Sequence, residues 1–313
     1  MQLYVDQRPN GDGAALAVTP EGLYGWGNNW SDQLSIPLFR DSLVLFPQAV
    51  TLHEKWAVAK YQKNLPPRKK HELVKLISFT HGRTILVTQV GTYMAGLAML
   101  WFIGNCTYNP RIFMPVPLPD GFVAKRIDDE GCLVVVSMGS NQLITGRNNH
   151  GQLGLGHNDE VCQFTPLPFW FDRLLHESPK FFVFQSGAMI LIAGQAPRCM
   201  VESGLLPGCG DGSNVYTTAT PLLFRGEVSR YHSDYDSSVV WVTEGQTNVW
   251  TSRLGKLTLA FEATHFSFTR TKDCFCDNAG GWHRVKGGGG WSDVDCKKPP
   301  APSIVEIPRP DFE

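Results

Sequence analysis

One hairpin pattern recurs along this 313-residue chain, and such a recurrence constrains the fold before any single element is assigned. An apolar run ending in Val, a turn, and an alternating strand closing on Gly occurs as LAVTPEGLYGWG (Leu16 to Gly27) and again as ILVTQVGTYMAG (Ile85 to Gly96). Looser copies follow as VVVSMGSNQLITG (Val134 to Gly146), FVFQSGAMILIAG (Phe182 to Gly194) and VVWVTEGQTNVWTS (Val239 to Ser252). The copies close at 27, 96, 146, 194 and 252, so the period is about fifty residues, the size of one propeller blade. Each copy reads as a β-hairpin. A blade cannot bury both of its faces alone, so neighbouring copies must stack.

The loop after the hairpin repeats as well. RNNHGQLGLGHNDEVCQFTP follows Gly146, NNWSDQLSIPLFRDSLVLFP follows Gly27, and GLLPGCGDGSNVYTTATP runs from Gly204 to Pro221. GRNNHGQLGLG, Gly146 to Gly156, with its upstream hairpin, resembles the signature of the regulator of chromosome condensation repeats. That resemblance implies an all-β propeller with six or seven blades. It also implies that Gly27, Gly96, Gly146, Asn148, Gly151, Gln152, Leu153, Gly154, Gly156 and Gly194 are structural repeat positions, with Asn148 and Gln152 bonding neighbouring backbone. Five units are clear, and TRTKDCFCDNAGG, Thr269 to Gly281, is a sixth candidate. Helix is expected in about a tenth of residues or fewer.

The expected layout is a single propeller domain over residues 1–313, with an inserted loop at 53–75 and a Gly-rich loop at 280–300. The N-terminal QLYV and the C-terminal SIVEIP, Ser303 to Pro308, are expected to pair and close the ring, because an open sheet edge is an aggregation hazard.

Thr84 to Pro110 and Phe181 to Pro197 carry no full charge, which would suit a spanning helix. Turns at Gln89 to Gly91 and Gln185 to Gly187 would break one, so no membrane partner is expected. A formal charge of −1 supplies no basic field for nucleic acid. The eight cysteines have no regular spacing, and the polar opening MQLYVDQRPNGDG is not that of a signal peptide. The expected setting is intracellular with reduced thiols, cytoplasm and nucleus being left open.

Candidate chemistry is sparse. GQLGLG does not lead into a helix, so it reads as turn glycines and not as a phosphate loop. Cys274, Cys276, His283 and Cys296 could ligate zinc, but C-x-C is not the usual knuckle spacing, and reduced cysteines in a divergent last repeat are the plainer reading. NGDG and GDGSN lack the acids of a calcium loop. PPRKKH, Pro66 to His71, reads as a solvated loop. With no GxSxG or HExxH, no cofactor, no metal and no catalytic residue is expected.

The expected function is a non-enzymatic scaffold for protein–protein interaction. The family resemblance offers guanine nucleotide exchange on a small Ran-like GTPase as the alternative, and the partner is another protein or a larger assembly. Six residues ahead of the aligned Val18, Val87, Val136, Val183 and Val242 stand Asp12, His81, Glu130, Glu177 and Asp236. These are the expected partner-binding residues, a mostly acidic ring that would steer a basic surface. Asp and Glu in that place could also be simple turn formers.

Overall fold

The computed structural model describes residues 1–6, 13–36, 43–80, 82–97, 102–104, 111–206, 214–269, 272–285, 291–293 and 304–307. Two compact units divide the chain, Met1–Arg147 with Glu160–Leu167, and Asn148–Asp159 with Pro168–Glu313.

Among the described residues, each unit holds three antiparallel sheets. In the first unit these are β1–β4 (Gln2–Asp6, Ala14–Thr19, Gly22–Asn28, Leu43–Ala49), β5–β8 (Val74–Thr80, Arg83–Thr88, Gly91–Gly96, Met114–Pro115) and β9–β12 (Arg126–Asp129, Leu133–Met138, Asn141–Gly146, Val161–Pro166). In the second they are β13–β16 (Arg173–Glu177, Phe181–Ser186, Met189–Gln195, Val215–Pro221), β17–β20 (Arg230–Ser233, Ser238–Thr243, Gln246–Thr251, Gly255–Leu259) and β21–β24 (Ala263–Phe268, Asp273–Asp277, Trp282–Val285, Trp291–Asp293). The strands of each sheet are hydrogen-bonded in sequence order. The all-β expectation holds, and the sixth candidate repeat is a sheet in its own right.

Burial explains the sequence pattern. The second strands are buried almost throughout, ILVT of β6 and FFVF of β14 included, so they read as continuous apolar runs and not as alternations. This accounts for the two uncharged windows. Each window holds a hairpin, with turns at 89–90 and 187–188, and among the described residues no helix is long and apolar enough to cross a membrane.

The hairpin register makes the closing glycine a steric necessity. Gly27, Gly96, Gly146 and Gly194 face Ala14, Arg83, Leu133 and Phe181, each at φ between 92° and 145°. A Cβ there would stand 2.3–2.5 Å from the carbonyl oxygen of Gly13, Gly82, Cys132 or Lys180, closer than two such atoms can approach. In the fifth sheet the register residue is Thr251, facing Ser238, one position before the expected Ser252.

Three expectations are corrected. The insertion at 53–75 is more than a loop. It carries helix α1 (Ala57–Asn64) and a 3-10 turn (Lys70–Leu73), and it sends Val58 and Leu73 into the first unit's core. The Gly-rich stretch at 280–300 contains β23 and β24, so Trp282 and Trp291 belong to a hairpin. The chain ends do not pair with each other among the described residues. A short strand β25 (Val305–Glu306) adds to β17 as a fifth strand, Arg230 facing Glu306 and Tyr231 facing Val305, whereas β1 pairs with β2. Ile304 and Ile307 flank β25 and are buried at 3% and 5% exposure, so apolar anchoring selects this edge.

Candidate functional site

Asn148 donates from Nδ2 to the His157 and Asp159 carbonyls and accepts from the Leu153 N–H. Gln152 accepts from the His150 N–H and donates to the Pro179 carbonyl. Asn29 and Gln33 repeat the arrangement, binding the Ile36 carbonyl, the Leu34 N–H, the Ser31 N–H and the Asn28 carbonyl. Gly151 and Gly154, at φ 76° and 71°, press against Thr217 and Ala219 of β16, and the Gly156 N–H donates to the Thr217 carbonyl. These are fold positions, since every polar atom named is spent on backbone.

Four of the five expected partner-binding residues fall between the first and second strands of their sheets, whereas Glu177 is the last residue of β13 and faces Phe182. Asp12 and His81 lie outside the described residues. Counted from the residues facing the closing position, equivalents of Asp12, His81 and Asp236 in the third and fourth sheets are Gly131 and Pro179. Glu130 therefore stands one residue out of phase within its turn, and Glu177 two, at the end of β13.

Asp236 has the clearest setting. The β17–β18 turn is pinned by Asp234, which accepts from the Tyr235 N–H and the Ser237 hydroxyl, each at 2.6 Å. Those bonds hold its carboxyl below the usual range. The exposed Asp236 takes the Arg198 N–H at 2.5 Å, at the start of helix α2 (Arg198–Glu202). Around it lies a depression of about 130 Å³ lined by Lys180, Phe181, Gln195, Pro197, Arg198 and Tyr235. Beneath, Cys199 is buried, and burial pushes its thiol up to about 12, so it is no nucleophile at neutral pH.

Cys274 and Cys276 lie buried on β22, while His283 Nε2 sits 2.8 Å from Asp277 Oδ2. Cys296 falls outside the described residues.

At the other end of β18 is a larger cavity, of about 610 Å³, that the sequence reading missed. Arg225, Glu227 and Ser229 line it from the segment before β17, Thr243 from the end of β18, Glu244 from the β18–β19 turn, Gln246 from the start of β19, and Glu262 from the segment before β21. Its residues come from three stretches that no local motif links. The one available signal was that Thr243 occupies the repeat position of Thr19 and Thr88.

No family model and no curated protein matches the chain. Among solved structures it is similar to human WBSCR16, with 14% identity, a TM-score of 0.49, and 87% of this chain and 74% of that chain covered. It is also similar to Prp20p from Saccharomyces cerevisiae, described with its binding to Gsp1p and histones, at 12% identity and TM-score 0.46 over 78% of this chain and 57% of that one. YCF48 bound to D1 peptide is similar at 13% identity and TM-score 0.33, covering 97% and 94%. In fold, the chain is nearly all β, made of four-stranded antiparallel sheets of which one takes a fifth strand, and these solved structures are what it is similar to.

Proposed function

We propose that the chain is a non-enzymatic scaffold that holds another protein at the turns between the first and second strands of its sheets. The observation that carries this reading is the Asp236 site, an exposed carboxylate fixed by the Arg198 N–H beside a shallow polar depression. A fixed charge on a rigid turn recognises a partner at little entropic cost. Asp12, His81, Glu130 and Glu177 belong to this proposal as further partner-binding residues, and a partner presenting Lys or Arg fits the acidic ones. An intracellular setting belongs to the proposal too, and the free thiols of Cys132, Cys162, Cys199, Cys274 and Cys276 support it.

Affinity capture of the tagged protein, followed by mass spectrometry, identifies the partner. A variant carrying Glu130→Gln, Glu177→Gln and Asp236→Asn should then associate with that partner several-fold more slowly at low salt, the difference shrinking as salt rises. Equal rates would remove these residues from the binding surface. Nucleotide exchange on a small GTPase is the second reading, and the resemblance of Gly146 to Gly156 to the family's repeat supports it. It requires accelerated release of fluorescent GDP from one member of a GTPase panel.

A further inference from the structure

The 610 Å³ cavity is of the size that holds a small ligand or a single side chain. Three carboxylates, of Glu227, Glu244 and Glu262, line it with one guanidinium, of Arg225, and the Arg230 guanidinium stands beside Glu262, so acidic groups outnumber basic ones and the field favours a cation. Glu262 is held in place: Oε1 accepts the Gly245 N–H at 2.9 Å, while Oε2 takes the Asn278 amide at 3.4 Å and stands 3.9 Å from Arg230 Nη1. Glu244 stands exposed on the β18–β19 turn.

Thr243 supplies an independent observation. At the equivalent position Thr19 donates to the Gly22 carbonyl at 2.9 Å, and Thr88 to the Gly91 carbonyl at 2.7 Å, each closing its own hairpin turn. Thr243 lines the cavity at 4% exposure, and its buried hydroxyl bonds nothing. A buried hydroxyl left without a partner costs about 1–3 kcal/mol, so this one is an acceptor or donor without its complement. Among the described residues no group of three or more His, Cys, Asp or Glu is arranged to hold a metal ion, which favours an organic cation. An ammonium brings three donors on a compact head, matching two carboxylates and a hydroxyl.

We propose that this cavity receives a lysine side chain of a partner protein, with Glu244, Glu262 and the Thr243 hydroxyl as acceptors for its ammonium. The proposal rests on the scaffold reading but concerns the other end of β18, and its test needs no captured partner.

The test is fluorescence anisotropy of labelled tetralysine on the full chain at low salt, with tetraarginine, tetraglutamate and calcium chloride as competitors. Tetralysine should bind, and only unlabelled tetralysine should compete well. Glu244→Gln should weaken it about tenfold, the loss of one charged acceptor. Thr243→Val should weaken it several-fold while leaving the melting temperature equal or higher, because it removes an unpaired buried polar group. Glu21→Gln, exposed on the β2–β3 turn and part of neither proposed site, should change nothing. Absence of tetralysine binding would overturn the proposal. So would equal affinity for Glu244→Gln and wild type, better competition by tetraarginine, or displacement by calcium. Glu244 is exposed on a turn, so its variant keeps the test open if Thr243→Val fails to fold.

Discussion

Arg83 Nε stands 2.9 Å from both carboxylate oxygens of Asp129, with each side chain only 1% exposed. The guanidinium comes from β6 and the carboxylate from β9, so the pair ties two sheets of the first unit together. Nη2 also donates to Asp129 and to the Gly131 carbonyl, and the Phe102 ring lies 4.5 Å from the guanidinium carbon. Other repeats place Ala14, Leu133, Phe181 or Ser238 at the position of Arg83, so the pair is particular to this junction.

Removing one partner strands a buried charge. Asp129→Ala should cost about 3–5 kcal/mol in urea unfolding, whereas replacing both residues with apolar ones of similar volume should recover much of that loss. Equal costs for the single and double variants would show that the pair does not act as a unit.

The closing glycines offer an internal control. Gly194 faces the Lys180 carbonyl at 2.3 Å from where a Cβ would sit, while Gly187, at φ 59°, has nothing within 4 Å of that point. Gly194→Ala should destabilise by more than about 3 kcal/mol, through strain plus collision. Gly187→Ala should cost about 1 kcal/mol, the conformational penalty alone. Chemical denaturation of the two variants measures the difference.

Acid should weaken the second unit through His232. Burial pulls this imidazole down to about 4, the neighbouring His176 adds to the shift, and Asp234 opposes it. His176 is likewise lowered by burial, and the Phe266 ring packs on His232 at 4.5 Å. An unfolded histidine titrates near 6.5, so between about 6.5 and 4 the unfolded chain binds more protons than the folded one. Stability is therefore present above pH 6.5 and is lost as pH falls towards 4, by on the order of 2–3 kcal/mol. His232→Phe should flatten that part of the curve, as thermal melts in a pH series would show.

Ending the chain at Pro302 removes β25 with its two buried isoleucines. Burial of two such side chains contributes about 3–6 kcal/mol, and the truncated protein should melt lower and expose the β17 edge. An unchanged melting temperature would contradict the anchoring of β25 on β17.

How much of this was legible in the sequence depends on what fixed each feature. Gly27, Gly96, Gly146 and Gly194 could be read because a single steric requirement recurs at a fixed place. The phase of the turn acids could be read only in part. Their alignment leaned on valines, and a stretch such as Leu133–Val136 is apolar throughout and carries no phase. The backbone pairing of Gly146 with Leu133 sets the register, which moves the equivalent of Asp236 to Gly131. The partner of β25 was out of reach because a two-residue strand has no periodicity, and its placement depends on Ile304 and Ile307 finding buried sites. The Glu227, Thr243 and Glu262 cavity was hidden for a related reason, its walls being brought together only by the stacking of sheets.

The late fifth strand also bears on how the protein is made. β17 and β25 are separated by about seventy residues, which a ribosome adds over several seconds. Throughout that interval the outer edge of β17 is without the strand that covers it, while β18–β20 are already able to pair. The fifth sheet thus has a window during synthesis in which its open edge is available to another nascent chain or to a chaperone, and the window closes only when Val305 and Glu306 arrive.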